Sequence, residues 1–167
     1  NFTVDQLRFY EAAGKSFTIR SRITAVQNQY DILNSEINQP GVLEYCQQTG
    51  VSFVAFSPLA RGLLTSRYLN QAKVGPGDRL FDEGTLEKDL SADHRNKLNQ
   101  LAMMADEMGL EVNQLALAYM LTIPGMGPVI PASSTVKQLE SNAAVAKVLL
   151  STEQKERVHK IITSPKN

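Results

Sequence analysis

One cysteine in 167 residues, Cys46, excludes an intrachain disulfide framework and a cysteine metal cluster, and it fits a reducing cytoplasm. An excess of charge is missing too. Seventeen basic residues balance seventeen acidic ones and no run of like charge occurs, so nucleic acid and membrane surfaces are not the expected partners. No apolar run approaches the length of a bilayer span, and Asn1-Phe2-Thr3 does not open a signal peptide. Histidine is scarce: His94 and His159 stand on polar helical stretches, where solvated side chains without a catalytic role are expected. What is present is 43% hydrophobic content over a length suited to one core and one domain, residues 1–167, with small-molecule chemistry as the favoured class.

The rest of the chain is arranged around Val51 to Leu64. Val51 to Phe56 is a short apolar run led by Gly50 and ended by Ser57-Pro58, which predicts a strand buried on both faces, as in a parallel sheet. Ser57 to Gly62 follows at its C-terminal end, where such strands feed ligand sites. It offers a hydroxyl, the Arg61 guanidinium and a glycine that lets backbone approach an anion. The alternative for this stretch is a buried strand and an ordinary turn.

Upstream, Val4 to Ala13 has the spacing of a short helix capped by Thr3 and ended by Gly14. Ile23 to Tyr30 alternates like a strand, 31–39 is a loop, and Pro40-Gly41 introduces a helix over Val42 to Gln48. Strand, helix and strand at this spacing predict a βαβ unit with parallel neighbours. Downstream, periodicity fails from Leu64 to about Leu90, a loop long enough to be functional. Helices are predicted over Asn96 to Met108, Val112 to Thr122, and from Ser133-Ser134-Thr135 through Ala146, with a very short strand at Pro128 to Pro131 between the last two. Thr135 to Gln138 and Ser151 to Gln154 both have capping-box spacing, the second before a final helix. The sum is an α/β chain of three strands and about six helices.

Four blocks in order resemble the aldo-keto reductases: Asn1-Phe2, Gln27-x-x-Tyr30, Phe56-Ser57-Pro58-Leu59-x-x-Gly62, and Ile130-Pro131-Ala132-Ser133-Ser134-Thr135-x-x-Gln138-Leu139-x-x-Asn142. They are similar to the segments from the end of the fifth barrel strand through the helix after the eighth. The last block is closest to the branch of bacterial general reductases and potassium-channel β subunits. The resemblance implies a partial (β/α)8 TIM barrel, its C-terminal half, with strands one to four absent. A whole barrel of this kind has about 250 residues.

The resemblance also implies NADPH as cofactor and a small-molecule aldehyde or ketone as substrate. Asn1 and Gln27 would hydrogen-bond the nicotinamide carboxamide, which like them both donates and accepts. Phe56 would stack on the ring, Phe standing where Tyr or Trp is common. Ser57, Pro58, Leu59, Arg61 and Gly62 would follow the pyrophosphate, with Arg79 a further cation from the long loop. Ser133 at the next helix N-terminus would take a 2′-phosphate, and Gln138 and Asn142 would reach the adenine. Many members have Lys in place of Ala132, Arg in place of Gln138 and Glu in place of Ser141. Two lost cations leave NADH open, with Arg79 and Ser133 to discriminate. Plainer alternatives stand beside these roles: Gln138 as a capping partner of Thr135, Gln27 facing solvent, Asn1 frayed at a chain end, Arg61 and Arg79 as solvated cations.

The family's catalytic Asp, Tyr, Lys and His belong to the first four strands, so no catalytic residue is assigned here. Tyr30, Tyr45 and Tyr119 lie in blocks whose counterparts are not catalytic. The isolated chain is therefore expected to reduce no carbonyl and, with open strand edges, to self-associate. The other readings are a non-catalytic nicotinamide-nucleotide-binding or regulatory module and an inactive truncated product.

Overall fold

The computed structural model describes residues 1–15, 22–36, 40–69 and 74–164. Parts of two predicted loops, 37–39 and 70–73, lie outside the described residues.

Thr3 caps the first helix as its hydroxyl predicts: Thr3 Oγ1 accepts from Gln6 N–H at 3.2 Å, and Gln6 Oε1 returns a bond to Thr3 N–H at 2.9 Å. That helix, α1 (Val4–Lys15), runs through Gly14, which is buried and does not end it. Strand β1 (Ala25–Gln29) is shorter than the predicted 23–30. Helix α2 (Val42–Thr49) has no side-chain cap of its own. Instead Glu36 accepts from Gly41 N–H at 2.9 Å and Leu43 N–H at 2.7 Å, a carboxylate set against the positive helix end. Gly50, at φ 72°, closes α2 and admits β2 (Ser52–Phe56).

The stretch from Leu64 to Leu90 is less irregular than its sequence suggests. It holds two one-turn helices, α3 (Arg79–Asp82) and α4 (Leu86–Asp89), and a 3₁₀ turn at Ser66–Tyr68. One-turn helices are too short to write a periodicity. Helix α5 (Ala92–Glu107) begins earlier than the predicted Asn96, because the Ser91 hydroxyl accepts from His94 N–H at 3.2 Å and caps it. Helix α6 (Val112–Met120) is buried at every position except the half-buried Gln114. Strand β3 (Met126–Ile130) starts two residues before the predicted Pro128. Then α7 (Val136–Ala144), a 3₁₀ turn at Val145–Lys147 and α8 (Thr152–Thr163) complete the described chain. At α8 the capping box forms with both bonds, 2.7 and 3.1 Å.

The three strands form a parallel sheet in the order β1-β2-β3, as the βαβ reading predicts. Gln27 lies opposite Val54, Gln29 opposite Phe56, and Phe56 opposite Ile130. A register shift falls between Phe53 and Ala55 on the β3 side, next to Gly127 and Pro128. Proline is tolerated there because β3 is an edge strand and the ladder is already interrupted. A Cβ on Gly127 would run into Ser52 Oγ and stand 3.1 Å from Phe53 O.

One face of the sheet carries the core. Val26, Phe53 and Ala55 point into it and meet α2, which buries Val42, Tyr45 and Cys46. The other face, with Ala25, Gln27, Val54, Phe56 and Ile130, is half-buried or exposed. The expectation that β2 is buried on both faces is therefore corrected: no layer among the described residues covers that second side. Chain order explains the rest of the packing, α5 lying against α6 and α8, and α6 against β3 and α7.

Among the described residues three ionisable side chains, Asp31, Asp78 and Lys97, enter the interior, which the sequence did not signal. Asp31 is fully buried at the end of β1, where its Oδ1 accepts from Leu33 and Asn34 N–H at 2.9 Å; burial pushes its carboxyl above the usual range. Lys97, 5% exposed, pairs with Asp93 at 3.0 Å. The histidines are less free than expected. His94 is half-buried with Nδ1 2.7 Å from Asp89 O, whereas His159 is exposed, 3.3 Å from the Tyr119 hydroxyl.

Two tests follow from this packing. Gly127→Ala is expected to lower the unfolding free energy by about 1–3 kcal/mol in denaturant titration, the cost of forcing a side chain into a filled space. An unchanged midpoint contradicts the close approach of β3 to β2. Cys46 is 1% exposed and burial pushes its thiol up to about 11, so alkylation at neutral pH should proceed only through unfolding. Rapid labelling of the native protein would refute that packing.

Candidate functional site

The backbone turns sharply where β2 ends. Ser57 has φ 54°, Ala60 φ 49° and Arg61 φ 58°, three non-glycine residues in the left-handed region, followed by Gly62 at φ 102°. Such conformations cost on the order of 1–3 kcal/mol each and persist only where surrounding structure imposes them. Short-range bonds impose them here: Ala60 N–H to Ser57 O at 3.0 Å, Gly62 N–H to Leu59 O at 2.9 Å, and Leu64 N–H to Leu59 O at 3.2 Å.

This turn forms one wall of a cavity of about 810 Å³ beyond the C-terminal ends of β2 and β3. The opposite wall comes from Ile130 to Thr135 and the first turns of α7, and the floor from Glu111 and Asn113 at the start of α6. Residues 65–68, Gly77 and Arg79 form its outer side.

Nine of the sequence-predicted residues line this cavity: Ser57, Pro58, Leu59, Arg61, Gly62, Arg79, Ser133, Gln138 and Asn142. Asn1, Gln27 and Phe56 do not. Gln27 and Phe56 lie on the open face of the sheet and Asn1 at the outer edge of β1, Phe56 next to the lining residue Ile130 through their shared register. Asn1 is not frayed: its Oδ1 accepts from Gln29 N–H at 3.3 Å. The buried Asn28 amide holds the same segment, accepting from Phe2 N–H at 2.8 Å and donating to Phe2 O at 2.9 Å. Gln27 is exposed, one step nearer the N-terminal end of β1 than that row.

Arg61 needs correction as a cation for phosphate. Its guanidinium pairs with Glu83, with Asp89 at 2.7 Å and with the Thr85 hydroxyl at 3.2 Å, so its charge is matched within the protein. Arg79 also bonds Glu83, at 2.9 Å, but is exposed on the rim. Two lining cations escaped the sequence reading. Arg67, in the aperiodic stretch, pairs with the buried Asp78, which also accepts from Gly75 N–H at 2.8 Å. Lys137 stands in the first turn of α7, and no ion pair to it is found among the described residues. A positive charge is disfavoured at that end of a helix.

Gln138 both caps and lines. Its N–H donates to Thr135 Oγ1 at 3.2 Å, but its side chain turns to Ser134, accepting from N–H at 2.8 Å and from the hydroxyl at 2.9 Å. The predicted box is thus closed one residue early. Asn142 is held on both sides, donating to Ser133 Oγ at 3.1 Å and accepting from Asn113 at 2.9 Å. Asn113 itself, a polar residue within the apolar run of α6, was the available signal for this floor.

The profile of the Aldo/keto reductase family matches residues 1–163. The chain belongs to the aldo-keto reductases. It is 34% identical over 134 residues to an L-glyceraldehyde 3-phosphate reductase of Escherichia coli O157:H7, covering 77% of this chain and 38% of that protein. Protein tas of Escherichia coli K12 is 32% identical over 149 residues, 86% of this chain and 42% of the relative. A probable pyridoxal reductase of Schizosaccharomyces pombe is 29% identical over 150 residues, 84% and 44%. The chain thus spans less than half the length of these curated relatives. In fold it is similar to a thermostable aldo-keto reductase solved with the inhibitor epalrestat, at TM-score 0.66 and 24% identity, covering 96% of this chain and 46% of that one. The partial barrel expected from the sequence agrees with that likeness.

Arg61→Ala should unclamp the segment from Arg79 to Asp89, lowering stability by about 1 kcal/mol and speeding proteolytic cleavage there. Cleavage at the native rate would show that the ion pairs do not hold the segment.

Proposed function

We propose that this chain forms the cofactor-binding part of an NADPH-dependent aldo-keto reductase acting on aldehydes or ketones. The observation that carries the reading is the cavity at the strand ends, large enough for a nucleotide and lined, beside the internally paired Arg61, by the cations Arg67, Arg79 and Lys137. The family membership supports it independently.

The residues fit a phosphate-bearing dinucleotide. Arg67, Arg79 and Lys137 supply positive charge at the rim, and the Ser57 and Ser133 hydroxyls can bond phosphate oxygens. Asn1 uses its Oδ1 within the protein, which leaves its Nδ2 to donate to a carboxamide oxygen. Gln27 would meet the same group from the open sheet face, and Phe56 would offer a flat apolar surface to the ring. The lysine and arginine lost at positions 132 and 138 are offset by Arg67 and Lys137, so NADPH is favoured over NADH. When bound, the reduced nicotinamide supplies a hydride to the carbonyl carbon.

Among the described residues that line this cavity, no tyrosine stands free to give the proton needed at the carbonyl oxygen. Tyr68, the one tyrosine that lines it, is buried with its hydroxyl accepting from Leu80 N–H at 3.4 Å. Tyr30 is packed edge-on against Phe53, and burial pushes its hydroxyl up to about 12. Tyr45 is raised to about 12 and Tyr119 is raised as well, both chiefly by burial. We therefore place the acid outside residues 1–167, and expect these residues alone to bind cofactor without turnover.

Calorimetric titration of the protein with NADPH tests the reading. Saturable binding is expected, weakened about tenfold by Arg67→Ala or Lys137→Ala, as for loss of one charge-assisted bond. Absence of binding, or affinity indifferent to both substitutions, would refute it.

A further inference from the structure

Alternate residues of β1 face different neighbours. Ser52 N–H donates to Thr24 O at 3.0 Å and Tyr30 N–H to Phe56 O at 3.3 Å, so the even-numbered backbone groups serve the ladder to β2 and the odd-numbered ones face the outer edge. Among the described residues no strand pairs with that edge. Side-chain amides take over at its C-terminal end. Asn1 Oδ1 accepts from Gln29 N–H at 3.3 Å, and the Asn28 amide accepts from Phe2 N–H at 2.8 Å and donates to Phe2 O at 2.9 Å.

Asn28 is 2% exposed and shares the core face of β1 with Val26. A polar side chain is costly there unless both its donor and its acceptor are used, and one residue, Phe2, uses both. The side chain thus makes the pair of bonds that a neighbouring strand would make. Beyond Phe2 the chain is fixed again, by the reciprocal bonds of Thr3 and Gln6 that start α1. Without Asn28, the longer bond from Gln29 N–H to Asn1 would be the remaining hydrogen bond between residues 1–2 and β1 among the described residues.

Gln27 and Asn28 are adjacent on a strand whose register to β2 is regular from Ala25 to Gln29, and their side chains point to opposite faces. One rigid unit therefore carries Gln27 directly and Asn1 through Asn28. The geometry points to Asn28 as a positioning residue that sets the spacing between Asn1 and Gln27, the two amides assigned above to the nicotinamide carboxamide; this rests on the cofactor reading. A carboxamide presents its donor and acceptor in one plane at fixed separation, so its partners must be spaced as well as present.

Calorimetric titration with NADPH and with adenosine 2′,5′-bisphosphate, which lacks the nicotinamide, tests this. Asn28→Leu keeps the side-chain shape and removes both bonds to Phe2. We expect it to weaken NADPH about fivefold, as for one hydrogen bond lost at the carboxamide, and to leave the bisphosphate within about twofold. In an Asn1→Ala background the same substitution should cost NADPH nothing further, because Asn28 acts through Asn1. Should Asn28→Leu fail to fold, Asn28→Asp, which keeps the acceptor for Phe2 N–H and lacks the donor to Phe2 O, is read by the same ratio of ligands. Unchanged NADPH affinity, an equal loss of both ligands, or full additivity with Asn1→Ala overturns the inference while the cofactor reading stands. If the native protein binds neither ligand, the cofactor reading itself falls and takes this inference with it.

Discussion

The left-handed turn from Ser57 to Gly62 sets the position of everything around the cavity. A central strand with Phe53 and Ala55 fully buried fixes where the turn begins, and the hydrogen bonds from Ala60, Gly62 and Leu64 fix its course. Three L-residues at positive φ carry a cost that only such a frame can offset. Beyond the turn, residues 65–68, Gly77 and Arg79 form the outer side of the cavity.

Electrostatics hold that segment in place. Arg67 meets Asp78, Arg61 meets Glu83 and Asp89, and Arg79 meets Glu83 again. The acids all come from residues 78–89: the Arg61 pairs tie that segment to the turn, the Arg67 pair ties it to the 3₁₀ turn at Ser66–Tyr68, and the Arg79 pair lies within it. Asp78 is buried and Asp89 half-buried, which makes these contacts firmer than exposed pairs, whose worth is small. Lys137, on the opposite wall, has no such acid among the described residues, and so the cavity keeps unmatched positive charge near α7. Arg67 and Arg79 are the more exposed arginines and remain within reach of an anion.

Local patterns in the sequence reveal much of this arrangement and miss what depends on distance. The strand at Val51 to Phe56, the parallel order and the Ser151 capping box are all readable, because each is written within a few residues. Nine cavity residues are legible through short motifs. The one-turn helices α3 and α4 were not, being shorter than any hydrophobic period. Arg61 looked like an available cation because its partners lie more than twenty positions away. Glu111 meets Ser141 across 30 residues. The exposed second face of the sheet was legible only through the family resemblance, which implies a barrel larger than this chain.

The central claim is that the cavity between the β2 turn and α7 receives a nicotinamide dinucleotide. Hydrogen–deuterium exchange of the protein with and without NADPH tests it most directly. The account predicts slower exchange at residues 57–64 and 133–142 on adding cofactor, with α8 unchanged. Unaltered exchange in both segments at saturating NADPH, or protection confined to the far side of α5 and α8, would contradict it.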